Sequence, residues 1–173
     1  MTKIVRGKWV ITGGADDDPV LSDGAVLVDG AAITAVGPWD TLHDKHPGAE
    51  VLGSADAVVL PGLINAHGHS AMSLFRGMAD DQPLHTWLND HIWPAEGRWV
   101  NADFVRLGTD LAIAEMLRGG TTCFSDMYFF PDVAAAAAMD AGIRAQLCFP
   151  VIDNPIPGAR NAEEAIAKGL RLR

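Results

Sequence analysis

Several features that assign chains to particular protein classes are scarce or missing in these 173 residues. Two cysteines are too few for the disulfide framework of a small secreted domain. No apolar run approaches the roughly 20 residues of a membrane span, and the start, MTKIVRGKWVITGG, lacks a signal-peptide core. Basic residues are few, 13 against 22 acidic ones, and the net charge of -9 repels nucleic acid and anionic lipid. These absences predict a cytoplasmic protein without nucleic-acid or membrane partners.

The N-terminal third has the composition of a small β module. β-branched and apolar residues fill 3–12 and 24–37, and glycines and aspartates interrupt them at 13–18 and 29–30, which predicts strands joined by tight turns. A short helix is expected from Trp39 to His46, before Pro47-Gly48. We place a boundary near Pro61, which gives predicted domains of residues 1–60 and 61–173.

Beyond this boundary strands and helices alternate. Asn101 can cap a helix that runs to Arg118 and ends at Gly119-Gly120. One apolar face of this helix carries Phe104, Leu107, Leu111, Ala114 and Leu117. A strand TTCFSDM, a helix over 132–141, a strand over 143–151 and a helix opened by an Asn161–Glu164 capping box follow. This α/β order predicts a parallel sheet with crossover helices.

The stretch LPGLINAHGH, residues 60–69, carries the strongest chemical signal. A short apolar strand follows a Pro-Gly turn and ends in His67 and His69, whose i, i+2 spacing puts both side chains on one side of an extended strand. Zinc and similar ions favour neutral imidazole nitrogens as ligands. The pair therefore predicts a metal site, with two polar residues that merely close a strand as the alternative.

Three quoted segments carry a family resemblance. LPGLINAHGHSAMSLFRGMADD, the WPAE of residues 93–96 and RGGTTCFSDMYF resemble the amidohydrolase superfamily. Within it they are most similar to the branch of 5′-methylthioadenosine/S-adenosylhomocysteine deaminases and triazine chlorohydrolases. The resemblance implies an α/β fold, the N-terminal part of a TIM-type (β/α)8 barrel preceded by a small β-sandwich module. Because a whole barrel needs about 250 residues, we expect roughly three of its eight units here, an incomplete barrel.

The resemblance also implies roles for particular residues. His67 and His69 would bind one divalent metal ion, zinc, with iron as the alternative. Glu96 would contact the ribose hydroxyls of a nucleoside, the alternative being a solvated loop acid. Arg144 and Arg160 are candidates for binding a substrate carboxylate, since guanidinium groups bind carboxylates through two hydrogen bonds, but either could equally be a surface charge. Arg160 is the stronger candidate because it follows the C-terminal end of a strand.

Other polar residues allow two interpretations each. Asp126 ends the second strand of the alternating region and either lines a pocket or caps the next loop. Glu115 is expected in an ion pair on its helix rather than as a catalytic base. His85 and His91 either form a pocket wall or belong to a lid helix. Cys123, inside a strand, is expected to be a small buried apolar residue.

The function implied by the resemblance is hydrolytic deamination of an adenosine-type substrate, S-adenosylhomocysteine or 5′-methylthioadenosine. A small purine nucleoside is thus the expected partner, and a homo-oligomer is left open. One alternative is hydrolysis of another ring, guanine, cytosine or a chlorotriazine, because the metal motif does not specify the leaving group. Another is a non-catalytic truncated scaffold. No histidine follows His91, so the remaining ligands and proton-transfer groups are expected beyond Arg173, and the chain alone is expected to be inactive.

Overall fold

The computed structural model describes residues 2–14 and 19–172. The chain divides into two compact units, Met1–Pro61 and Gly62–Arg173. The acidic part of the predicted turn at 13–18 falls on residues 15–18 and lies outside the described residues. Among the described residues, no helix is both long and apolar enough to cross a membrane.

The first unit contains a five-stranded sheet and one helix. Its elements are β1 (Thr2–Ile11), β2 (Val20–Asp29), β3 (Ala32–Pro38), α1 (Trp39–Lys45), β4 (Glu50–Gly53) and β5 (Val58–Val59). The strand order is β3-β2-β1-β4, with β5 also paired to β1. Leu42 of α1 joins Ile4, Ala25 and Leu27 in a buried cluster, so α1 covers one face of the sheet. The described part of this unit holds one sheet, and the second sheet of a sandwich stays a prediction.

The turn and the short helix predicted for this unit are confirmed. Gly30 adopts a φ of +59° between β2 and β3, a backbone conformation that costs glycine little. Helix α1 ends at Lys45, immediately before His46 and the Pro47-Gly48 pair.

The second unit alternates strands and helices. Its elements are β6 (Leu63–Asn65), α2 (Leu84–Thr86), α3 (Trp93–Trp99), α4 (Ala102–Arg118), β7 (Thr121–Met127), α5 (Pro131–Ala141), β8 (Arg144–Cys148) and α6 (Ala162–Gly169). Ser70–Phe75 forms a 3-10 helix and Trp87–Ile92 a π-helix. The strands pair in parallel in the order β6-β7-β8, so their C-terminal ends meet at one edge, as predicted for crossover connections.

The helix boundaries follow the predicted capping residues. The Asn101 side chain accepts a hydrogen bond from the Phe104 amide at 3.0 Å, and Asn161 accepts one from Glu164 at 2.9 Å. The Glu164 carboxylate completes the second cap by accepting from the backbone N–H of Arg160, one residue earlier than in a standard capping box. Gly142 ends α5 in the left-handed region.

The apolar face expected for α4 is not the buried one. Leu107 is 64% exposed and Leu117 48%. Small and β-branched residues face inward instead, namely Val105, Gly108, Thr109, Ala112 and Ile113. Gly108 explains the difference, because a β-carbon there would lie 2.4 Å from the Ala71 carbonyl oxygen. Close backbone approach therefore decides which face packs.

Strand β8 is shorter than predicted. It ends at Cys148 rather than near Val151, where Phe149 and Pro150 follow, and a proline has no N–H to continue the ladder. Phe124 of β7 is fully buried and packs with Ile113, Ala137 and other residues of α4 and α5. This core fixes β7, whose C-terminal end holds the candidate site.

Candidate metal centre and substrate pocket

The two histidines of the His-x-His motif lie in the loop immediately after β6. The strand ends at Asn65, so the expected position on the strand itself is wrong by a few residues. The Asn65 side chain accepts a hydrogen bond from the backbone N–H of His67 at 3.3 Å. The two imidazole rings meet edge to face, with centroids 5.1 Å apart. The turn, rather than strand alternation, brings the rings together.

The end of β7 holds His69 in one tautomer. Its Nδ1 lies 2.7 Å from the Met127 carbonyl oxygen, and the Met127 amide donates to the Gly68 carbonyl at 3.1 Å. Because a carbonyl oxygen only accepts, Nδ1 of His69 carries the proton. In the neutral ring the lone pair is then on Nε2. Metal-binding histidines are commonly oriented by such a bond through the other ring nitrogen.

Asp126 fixes the other side of this loop. Its side chain is 3% exposed, and Oδ1 accepts a hydrogen bond from the backbone N–H of Ser70 at 2.6 Å. Burial raises the pKa of Asp126, and the bonds from Ser70 oppose that shift. Asp126 caps a loop, but the predicted loop, which follows it in sequence, is wrong, because the capped segment is the one after β6.

Glu96 is a buried acid and not a solvated loop residue. It lies in α3, is 6% exposed, and accepts a hydrogen bond from the Tyr128 hydroxyl at 2.8 Å. Burial is the main cause that raises the pKa of Glu96, while the Tyr128 bond and the nearby His69 act in the opposite direction. Burial raises the pKa of Tyr128, and the nearby Glu96 carboxylate raises it further. The Tyr128 hydroxyl therefore stays protonated and donates the hydrogen bond.

Tyr128 was not among the functional residues predicted from the sequence. Its position directly after the C-terminal end of β7 was the available signal, because side chains there line the sites of parallel sheets. Its partner Glu96 is 32 residues away in sequence, and no spacing pattern connects the two.

These groups line a cavity of about 280 Å³. His69, Glu96 and Tyr128 supply its polar side, together with apolar side chains that include Trp87 and Trp93. His67 is exposed in the loop next to it. The cavity therefore combines a ring nitrogen, a buried carboxylate and aromatic surface.

A π-helical turn forms the helical wall of this cavity. The Trp93 amide donates to the Leu88 carbonyl, five residues earlier, the hydrogen-bond step of a π-helix. The Asn89 side-chain amide donates to the His85 carbonyl at 2.7 Å. Pro94 follows and has no N–H to donate. The sequence predicted a helix here, and nothing in its periodicity indicated the wider turn.

The histidines considered for this wall point elsewhere. His85 and His91 are exposed, whereas the cavity is lined by the neighbouring Trp87, Leu88 and Ile92. The helical segment lines the cavity with these apolar side chains, and its histidines do not take part. This arrangement agrees with the lid-helix interpretation rather than with histidines as a pocket wall.

The two arginines proposed for a substrate carboxylate lie away from the cavity. Arg144 is the first residue of β8, at the opposite strand end from the histidine loop. Arg160 is highly exposed and donates from Nε to Glu164 at 2.8 Å. Neither arginine lines the cavity, and their substrate role stays a prediction. Glu115 pairs with Arg76 through two bonds of 2.9 and 2.6 Å, the ion pair expected for it.

The donor set fits part of a zinc site. Within residues 2–14 and 19–172 no group of three or more His, Cys, Asp and Glu side chains could hold a metal ion together. His67 and His69 offer two imidazoles with one tautomer already fixed, a geometry typical of zinc ligands. Two ligands alone leave a zinc ion open and weakly held, so a complete centre takes further donors.

Comparison with known proteins identifies the family. Residues 58–173 match the model of the amidohydrolase family, and residues 24–49 match an imidazolonepropionase-like composite domain from bacteria. The chain belongs to the amidohydrolase family, a class of TIM-barrel-type hydrolases.

Individual proteins are similar to this chain over nearly its whole length. A 5-methylthioadenosine/S-adenosylhomocysteine deaminase from Saccharophagus degradans is 49% identical over 98% of this chain, which spans 38% of that protein. A zinc-bound adenosine deaminase structure from Xanthomonas campestris matches with a TM-score of 0.89 and 42% identity, over 98% of this chain and 38% of that one. A zinc complex of atrazine chlorohydrolase from Arthrobacter aurescens matches with a TM-score of 0.79 and 26% identity, over 98% and 42%. The chain thus spans less than half the length of these relatives.

Proposed function

We propose that the protein to which this chain belongs is a zinc-dependent hydrolase that deaminates adenosine-type nucleosides, S-adenosylhomocysteine or 5′-methylthioadenosine. The observation that carries the proposal is the meeting of the His67–His69 loop and the buried Glu96 at one cavity. The 49% identical relative named for this activity supports the substrate class.

His67 and His69 would hold the metal ion, and His69 would present Nε2 because its Nδ1 is engaged with Met127. When bound, zinc supplies Lewis-acid activation of water for hydrolysis. Zinc is favoured over iron because imidazole nitrogens suit it and because two similar solved structures contain zinc. The further ligands and the proton-transfer groups would come from the rest of the whole protein.

Glu96 would orient the nucleoside. Its buried carboxylate can accept hydrogen bonds from the two ribose hydroxyls, and bonds to a charged acceptor are stronger than those between neutral groups. Trp87 and Trp93 supply flat apolar surface in the same cavity, which suits a purine ring. Arg160 remains the proposed contact for the carboxylate of S-adenosylhomocysteine and would have to exchange Glu164 for it.

The same family membership supports finer proposals on architecture and compartment. β6, β7 and β8 would be the first three strands of a (β/α)8 barrel. The first unit would form part of a composite β-sandwich, as its match to a composite domain suggests. A reducing cytoplasm is the proposed compartment, since Cys123 and Cys148 are both free thiols.

Ammonia release by the zinc-loaded full-length protein, with chloride release as the readout for atrazine, tests the proposal. S-adenosylhomocysteine and 5′-methylthioadenosine should release ammonia, and guanine, cytosine and atrazine should not react. Reaction with guanine, cytosine or atrazine alone would favour the same-family alternative, to which the 26% identical atrazine chlorohydrolase lends weight. A full-length protein that binds no metal and attacks none of these compounds would favour the non-catalytic scaffold.

A further inference from the structure

The Tyr128–Glu96 contact joins the strand end that carries the histidine contacts to the helical wall of the cavity. Both residues are 6% exposed, and the hydroxyl and carboxylate oxygens lie 2.8 Å apart. Among the described residues Tyr128 is the one side-chain donor to this carboxylate, which leaves Oε2 of Glu96 without a protein partner. The cavity is lined by both residues.

We propose that Tyr128 is a positioning residue, which holds Glu96 with one carboxylate oxygen committed to the protein and the other open to the ribose hydroxyls. The inference rests on the proposed function, because it takes Glu96 as the ribose contact. Tyr128 acts through Glu96 and does not itself touch the substrate.

Geometry gives the tyrosine this role. A glutamate side chain has three rotatable torsions, and a buried one without a fixed partner samples several rotamers. Tyr128 is itself rigid, since its ring packs against Phe129 with centroids 4.8 Å apart and lies in a buried cluster with Val105 and Ala134. A fixed donor therefore selects one carboxylate orientation before the substrate arrives, which reduces the entropy that binding must overcome.

The prediction concerns affinity for hydroxyl-bearing substrates. In the zinc-loaded full-length protein, Tyr128→Phe should raise KM for 5′-methylthioadenosine about 10-fold, as expected for a lost bond to a charged group. kcat should stay within about twofold, because binding and not the chemical step loses a contact. The 2′,3′-dideoxy form of the same substrate should show no change in KM. The double variant Tyr128→Phe/Glu96→Gln should be no worse than Glu96→Gln alone.

Thr109 offers a matched control. Its hydroxyl is buried in α4 and has no hydrogen-bond partner among the described residues. Thr109→Val therefore also removes one buried hydroxyl, at a residue that does not line the cavity. KM should not change in this variant, whereas a general effect of losing a buried hydroxyl would change KM in both variants.

Different outcomes would overturn the role of Tyr128, the assignment of Glu96 and the proposed function. If Glu96→Gln discriminates between the ribose and dideoxy substrates but Tyr128→Phe raises KM equally for both or for neither, Tyr128 has only a packing role and the inference is overturned. If Glu96→Gln fails to discriminate, the assignment of Glu96 is wrong and the inference fails with it. If the wild type deaminates neither nucleoside, the proposed function itself is wrong. Calorimetric binding of both nucleosides to the zinc-free protein should repeat the affinity pattern.

Discussion

The two walls of the cavity are held by different means. The histidine loop is held at the end of β7 by hydrogen bonds through Gly68, His69 and Ser70, and a backbone atom takes part at each of these residues. Within the part of the chain that the structure describes, the helical wall has one side-chain bond to the same strand end, from Tyr128 to Glu96. The histidine loop is thus held by the backbone of the fold, whereas the position of Glu96 depends on individual side chains and is easier to change by substitution.

The largest effect is expected when both histidines of the loop after β6 are replaced. His67→Ala/His69→Ala in the full-length protein should abolish stoichiometric zinc binding and deamination, because both proposed imidazole ligands from this chain are gone. Elemental analysis of the purified protein measures the metal. The control is His85→Ala/His91→Ala, which removes two exposed histidines of the helical wall and should leave zinc unchanged. Full zinc content in the first variant would contradict the ligand assignment.

Substitution of Asp126 tests whether the histidine loop depends on its hydrogen bonds to β7. Asp126→Ala removes the acceptor for the Ser70 amide and should lower zinc affinity about 10- to 100-fold, the usual loss for groups that orient metal ligands. Asp126→Asn keeps an acceptor oxygen and should lose less. Titration against a chelator gives both affinities. Equal affinities for all three proteins would show that the loop holds its shape without this bond.

A smaller effect is expected from a substitution in the π-helical turn, which belongs to the helical wall of the cavity. Asn89→Ala leaves the His85 carbonyl without its side-chain donor and should lower the free energy of unfolding by about 1 kcal/mol. Asp90→Ala, an exposed change on the same turn, should have almost no effect. Urea unfolding with matched m-values decides between them. Identical stabilities would mean that the Asn89 bond adds nothing to the turn.

The smallest expected effect concerns Arg160. Because its guanidinium is exposed and paired with Glu164, Arg160→Ala should raise KM for S-adenosylhomocysteine by only about threefold, within the range of an exposed ion pair. KM for 5′-methylthioadenosine, which has no carboxylate, should not move. Steady-state kinetics with both substrates make the comparison, and equal changes for the two would remove Arg160 from the binding site.

Local signals predicted the local structure well. Asn101, Asn161 and Gly142 marked helix ends because capping depends on a few neighbouring residues. The choice of the buried face of α4 could not be predicted, because it depends on the approach of Gly108 to Ala71, which are far apart in sequence. A count of leucines favours the face that the structure leaves exposed.

The same contrast applies to the site. The histidine pair was visible because both residues are close in sequence, and the predicted metal chemistry needs only their types. The Tyr128–Glu96 bond and the Asp126–Ser70 bond join residues 32 and 56 positions apart. They depend on where β7 ends relative to other elements, which only the folded chain specifies.

Anomalous scattering at the zinc absorption edge, from crystals of the full-length protein, locates the metal ion itself. We expect one strong peak about 2.0–2.1 Å from Nε2 of His69 and from a ring nitrogen of His67. A zinc peak that contacts neither histidine would contradict the ligand assignment. The absence of any zinc peak from a protein that deaminates nucleosides would contradict it as well.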